Sequence, residues 1–150
     1  MKKNILLFFL LSIVGIGNIY AQKKTSQNSE IYQFSEPGYL LDGYMFNYTY
    51  QNGKSLHMEF NNGKARYRWL NGPRKGKGNQ DITYRCRKIG NDLYLLNWNE
   101  TGLKDYLTLV LNFKDSTVFS SIIVGYENNP NRPRRTTFEA GKINYLKIQK

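Results

Sequence analysis

The sequence predicts an all-β protein, an antiparallel up-and-down barrel of about eight to nine strands, and three observations carry that prediction. First, apolar residues alternate strictly from Tyr44 to Trp69: Phe46, Tyr48 and Tyr50, then Leu56, Met58 and Phe60, then Ala65, Tyr67 and Trp69. A period of two marks strands with one buried face. Second, Asn52-Gly53 and Asn62-Gly63 separate those runs. Asn and Gly tolerate the positive φ of tight hairpin turns, so these dipeptides are strong hairpin signals. Third, no amphipathic helix of useful length is legible, and turn signals recur about every eight to twelve residues. Sequential antiparallel strands need only local connections, and closing the sheet removes its exposed edges. A barrel of about eight strands has room for one small ligand. A two-sheet sandwich is the alternative that the same pattern permits.

The remaining elements follow in order. Ile82 to Lys88 reads as a fourth strand, with Ile82, Tyr84 and Cys86 on one face and Thr83, Arg85 and Arg87 on the other. Leu93 to Trp98 is the fifth, and Asn99 to Lys104 a turn that carries Glu100. Tyr106 to Phe113 is the sixth and is apolar on both faces; Thr117 to Tyr126 is the seventh. Thr136 to Ala140 and Ile143 to Ile148 read as two short closing strands. Asn71 to Asn79 is a Gly-rich loop without phosphate-loop spacing, and Tyr39-Leu40-Leu41 is placed to plug one end of the fold.

A chain of 150 residues is one domain. Residues 1–21 read as a secretory signal peptide: Lys2 and Lys3 precede an apolar run from Ile5 to Ile16, and Ile19-Tyr20-Ala21 ends on a small residue. Residues 22–37 are polar and read as a flexible lead-in, which leaves 38–150 for the barrel. The expected product is exported, periplasmic or secreted, with no stable membrane span after cleavage. Cys86 is the only cysteine, so no intrachain disulfide can form and the core alone must hold the fold.

His57 is the only histidine, and the period places it opposite Leu56 and Met58, as an exposed surface residue. No Ser/His/Asp or Cys/His nucleophile system can be framed around it, and neither a metal site nor a cofactor motif is legible. Lys and Arg number 22 against 11 Asp and Glu. Arg66 and Arg68 share the outer face of one strand, and Arg85 and Arg87 that of the next. If the strands are neighbours, the four arginines form a stripe able to bind an anionic polymer. Nucleic acid is not an expected target of an exported chain. On the inner face, Tyr48 and Tyr50 bring two phenol hydroxyls in from one strand. A buried phenol needs a hydrogen-bond partner, which a ligand carboxylate or carbonyl, a barrel end or backbone could supply.

Tyr48-Thr49-Tyr50-Gln51-Asn52-Gly53, Gly72-Pro73-Arg74-Lys75-Gly76-Lys77 and Trp98-Asn99-Glu100-Thr101-Gly102 resemble the framework of bacterial phenolic acid decarboxylases. Trp69 to Gly78, the Ile89-Gly90 turn, Tyr94, Trp98, Leu109 to Phe113, and Phe138 with Gly141-Lys142-Ile143 resemble the small MoaF-like domains, relatives of the molybdenum cofactor biosynthesis protein F. Both groups are calycin-type, lipocalin-like barrels, and the resemblance spans Gly43 to Ile148. The decarboxylase resemblance implies that Tyr48 and Tyr50 hold a substrate carboxylate, that Lys77 stands where an arginine assists, and that Glu100 deprotonates or orients a phenol. A para-hydroxycinnamate protonated on its vinyl carbon becomes quinone-methide-like, and losing carbon dioxide restores conjugation without a cofactor. The chain departs from that pattern in having Lys77 instead of a planar guanidinium, a turn one residue shorter at Glu100, and no long C-terminal segment. The MoaF-like resemblance implies a fold and little chemistry.

The leading expectation is therefore an exported MoaF-like barrel that binds a small aromatic or apolar ligand through Tyr48, Tyr50, Met58, Tyr67, Trp69, Tyr84 and Glu100. One alternative is a cofactor-free lyase using Tyr48, Tyr50, Glu100 and Lys77. The other is a surface module that binds polyanions through Arg66, Arg68, Arg85 and Arg87.

Overall fold

The computed structural model describes residues 37–127 and 130–149. The expected signal peptide and all of the lead-in except Pro37 lie outside the described residues. Eight strands follow one another: β1 (Tyr44–Tyr50), β2 (Ser55–Asn61), β3 (Lys64–Trp69), β4 (Gly78–Gly90), β5 (Leu93–Glu100), β6 (Asp105–Asn112), β7 (Thr117–Val124) and β8 (Arg135–Ile148). Each pairs antiparallel with the next, and β8 returns to β1, so the sheet is a closed barrel rather than a sandwich. A 3₁₀ turn, Gly72–Arg74, lies between β3 and β4. Among the described residues no helix is long and apolar enough to cross a membrane.

The first three strands sit where alternation places them, with Phe46, Tyr48, Tyr50, Leu56, Met58, Phe60 and Ala65 buried. The two Asn-Gly turns differ. Asn62 (φ 49°) and Gly63 (φ 71°) both adopt positive φ, the two-residue hairpin that a right-twisted ribbon favours. At the other turn only Gly53 does (φ 81°). Tyr50 N–H donates to the Lys54 carbonyl and Gly53 N–H to the Tyr50 carbonyl, each at 2.9 Å, so that loop has three residues.

β4 begins four residues before its expected start. A bulge at Asp81 (φ 59°) hides those residues from a period-two reading, because the register jumps from Ala65↔Ile82 to Tyr67↔Asn79. The two expected closing strands are one continuous β8. Its residues through Lys142 pair with β7, and those from Gly141 onward pair with β1. Gly141-Lys142 is thus a crossover of pairing partners, not a turn. His57 is half-buried rather than exposed. Its Nδ1 lies 2.6 Å from Asn47 Oδ1 and its Nε2 2.8 Å from Glu59 Oε1, so strand neighbours on the outer face enclose it.

One end of the barrel is shut. Leu41 is fully buried there, its N–H donating to Tyr84 Oη (3.2 Å), while that hydroxyl donates to Asp42 Oδ1 (2.9 Å). Phe60 meets Tyr84 edge-on at 4.8 Å, and Phe46 stacks on Phe60 at 5.9 Å. Tyr39-Leu40-Leu41 therefore plugs this end chiefly through Leu41; Leu40 is exposed, and Tyr39, though exposed, sets its ring edge-on to Tyr84 at 5.6 Å. Cys86 is buried near this plug and its thiol is pushed up to about 12 by burial.

Gly141 supports closure because a Cβ there would lie 2.5 Å from the Thr49 carbonyl oxygen on β1. Gly141→Ala is expected to lower unfolding free energy by about 1–3 kcal/mol through overpacking. Gly102→Ala, where a Cβ would meet nothing within 4 Å, should change it by no more than about 0.5 kcal/mol. Urea denaturation of both variants checks this, and equal midpoints would remove Gly141 from the closure argument.

Candidate ligand-binding site

The opposite end is open. The C-terminal ends of β1, β3, β5 and β7 and the N-terminal ends of β2, β6 and β8 surround a cavity of about 370 Å³ there. Its walls are Tyr48, Leu56, Met58, Trp69, Trp98, Leu107 and Ile122. A volume of that order suits one small molecule, and apolar walls combined with fixed polar groups are the usual composition of such sites.

Tyr48 and Tyr50 are buried side by side, their hydroxyls 3.4 Å apart and their rings edge-to-face at 5.0 Å. Two residues of spacing on one strand bring both inward. Burial holds both phenols above their ordinary range, and for Tyr48 the neighbouring Tyr50 adds to the effect. Both line the cavity as neutral hydroxyls with donor capacity.

Glu100 closes β5 and is only 3% exposed. A buried carboxylate needs donors to replace its water. Tyr67 Oη donates to its Oε2 at 3.1 Å, Asn79 Nδ2 to the same oxygen at 3.4 Å, and Trp98 Nε1 to Oε1 at 3.3 Å. The bulge in β4 is what turns Asn79 toward this group. Tyr67 is held well above the ordinary phenol range, first by burial and then by the Glu100 charge.

The mouth is charged. Lys54, Arg74, Arg132, Arg135, Asp105 and Glu139 all reach the cavity. Lys54 Nζ lies 3.4 Å from Glu139 Oε1, and an Arg132 guanidinium nitrogen 2.8 Å from Asp105 Oδ2. Asn52 also donates to Glu139. Asp105 accepts the Gly125 N–H (2.9 Å), which ties β6 to the chain leaving β7. The Arg74 guanidinium carbon lies 5.6 Å from the centre of the Trp69 ring.

Of the residues singled out from sequence, Tyr48, Tyr50, Met58, Tyr67, Trp69 and Glu100 line this one cavity. Tyr84 does not. It is on the predicted face but belongs to the shut end, because alternation gives a side chain's face and not its depth. Lys77 is exposed and outside the lining. Its carbonyl accepts from Trp69 N–H and its N–H donates to the Arg74 carbonyl, a fold-back that leaves Arg74 at the cavity instead. The four arginines do not form one stripe. β3 and β4 are neighbours, but Thr83 pairs with Lys64 at the start of β3, so Arg85 and Arg87 continue beyond it. Arg66 pairs with Glu59, and Arg85 lies over Tyr39 at 4.7 Å. Trp98, Leu107, Ile122, Arg132 and Arg135 are cavity residues that sequence reasoning missed. Trp98 alternates with the buried Tyr94 and Leu96 and was the one within reach. Among the described residues no group of three or more His, Cys, Asp or Glu is placed to hold a metal ion.

Comparison with known proteins gives a family and a fold. The family model described as MoaF-like matches residues 42–130. No curated protein matches the chain. A solved structure from Burkholderia vietnamiensis, described as a "putative beta-lactamase", is similar with a TM-score of 0.58 and 16% identity, covering 73% of this chain and 95% of that one. The rhizavidin–biotin complex is similar at a TM-score of 0.41 and 8% identity, covering 69% of this chain and 94% of that one. Bradavidin2 with biotin gives 0.40 and 10%, covering 67% and 96%.

The buried phenols predict a pH response. Unfolding releases Tyr48 to a pKa near 10, so above about pH 10 the unfolded chain holds fewer protons than the folded one. Stability is therefore complete below about pH 10 and falls as pH rises past it. Tyr48→Phe should lose about 1 kcal/mol less between pH 10 and 11 than the unaltered chain. Urea midpoints across that interval measure it, and parallel slopes would contradict it.

Proposed function

The chain belongs to the MoaF-like family, and on that premise we propose that its barrel binds a small aromatic or apolar ligand through the open end. The observation that carries this reading is the cavity of about 370 Å³, walled by aromatic and aliphatic side chains with buried polar groups among them and charged ones at the mouth. Burying an apolar body there removes it from water at roughly 25 cal/mol per Å². The Tyr48 and Tyr50 hydroxyls and the Glu100 carboxylate supply orientation. The rhizavidin and bradavidin2 structures hold biotin; that ligand is theirs, and the proposal does not extend it to this chain. We further propose that the chain is exported after cleavage behind Ala21, a reading that rests on Lys2, Lys3 and the apolar run from Ile5 to Ile16.

A cofactor-free lyase acting on a para-hydroxycinnamate is the second reading. One observation favours it: Tyr48, Tyr50 and Glu100 line a single cavity, and Glu100 is buried there. Lys77 has no part in it, being outside the lining.

Both tryptophans of the chain, Trp69 and Trp98, line the cavity, so their emission reports its occupancy. Phenylnaphthylamine, a neutral aromatic probe, is expected to quench them saturably. Leu107→Phe combined with Ile122→Phe, which adds bulk at a register pair of the wall, should weaken that binding about tenfold or more. Absence of saturable quenching would sink the binding reading. Under the lyase reading, para-coumaric acid loses its ultraviolet absorbance with time, and Glu100→Gln stops the loss; a static spectrum would exclude that reading.

A further inference from the structure

The cavity mouth carries an unbalanced charge, and the imbalance has a position. Four cations reach the cavity: Lys54, Arg74, Arg132 and Arg135. Two are matched, Lys54 with Glu139 and Arg132 with Asp105. The remaining lining carboxylate, Glu100, is occupied by Tyr67, Trp98 and Asn79. Arg74 and Arg135 are left with no carboxylate partner among the described residues. They approach from different sides, Arg74 from the connection after β3 and Arg135 from the first residue of β8. A guanidinium resting on an aromatic ring uses its face and keeps its planar edge of N–H donors for a second partner. The Arg74 guanidinium carbon lies 5.6 Å from the centre of the Trp69 ring, which is itself a cavity wall.

We propose that the ligand is an organic anion: an aromatic or apolar body inside the barrel and one acidic group, a carboxylate, sulfonate or phosphate monoester, at the mouth between Arg74 and Arg135. The proposal rests on the barrel being a ligand pocket and adds the charge and direction of what enters it. The interior argues for the same direction. An acid pushed inward onto Tyr48 and Tyr50 would give up its water for two neutral phenols, and the nearest cation on that side, Lys54, is already matched by Glu139; a buried charge without a counter-charge is costly. At the mouth the acid keeps part of its hydration and gains two guanidinium forks. The formal net charge, +11 for the full chain and +9 once Lys2 and Lys3 are removed with the proposed signal peptide, adds a long-range pull on anions.

Two probes with the same ring system separate this proposal from the pocket reading beneath it. Anilinonaphthalene sulfonate carries an acid and phenylnaphthylamine does not. The full chain is titrated with each, and quenching of Trp69 and Trp98 gives the two affinities. At low salt the sulfonate is expected to bind about tenfold tighter, a modest factor because both arginines are solvent-exposed. In the double variant Arg74→Gln, Arg135→Gln the ratio of affinities should fall close to one, and Arg135→Lys should retain part of it. Equal affinities in the unaltered chain, or a preference that survives the double variant, would overturn the proposal while phenylnaphthylamine binding still upheld the pocket. Quenching by neither probe would overturn both.

Discussion

Closure of β8 onto β1 fixes which side chains share the interior, and it depends on a close backbone approach at Gly141. That residue pairs with Val118 on one side and Tyr50 on the other, where a side chain would collide with Thr49. The extra residue in β8 opposite Asn47 and Tyr48 resets the register immediately beside the tyrosine pair. Bulges of this kind bend a strand and increase its twist, which a barrel needs in order to close. A sheet left open there would expose two edges and place Tyr48 and Tyr50 in water instead of in a cavity wall.

The two ends of the barrel are filled differently. At the shut end the interior is filled by Leu41, Phe46, Phe60 and Tyr84, and the polar atoms there satisfy one another through Asp42 and the Tyr84 hydroxyl. At the open end the wall residues thin out and buried polar groups appear. Leaving such groups unpaired would cost about 1–3 kcal/mol each. The chain avoids this by giving Glu100 donors from β3, β4 and β5, so the same contacts that satisfy the carboxylate lock three strands around the cavity. Pairing of Arg132 with Asp105 does the like for β6 and the segment before β8.

Much of this was legible. From Tyr44 to Trp69 the period and the turns specify strands and faces residue by residue, because each strand there has one apolar side. The reading weakens where that condition fails. β6 and β7 carry apolar residues on both faces, so Leu107 and Ile122 could not be assigned inward. Asp81 interrupts the period of β4 and conceals Asn79. Gly141-Lys142 looks like a turn because glycine serves both turns and close approaches, and the sequence does not say which. Tyr84 shares its face with true cavity residues; only the plug by Leu41 tells the two depths apart. Arg74 and Lys77 lie in a loop without a period, and only the hydrogen bonds of that loop show which one reaches the cavity.

The Glu100 cluster also limits what a ligand can do once inside. Oε2 already accepts from Tyr67 and from Asn79, whereas Oε1 accepts from Trp98 alone. A carboxylate oxygen has room for about two donors, so Oε1 is where a ligand hydroxyl or amine can be received without displacing a strand contact. Approach to Oε2 would instead unpair Tyr67 or Asn79 and disturb β3 or β4. Under the proposed binding reading, a ligand donor would therefore meet Glu100 at Oε1, on the Trp98 side. On the same reading, a bare hydrocarbon would bury the spare lone pair of Oε1 and return nothing for it, which favours a donor-bearing aromatic.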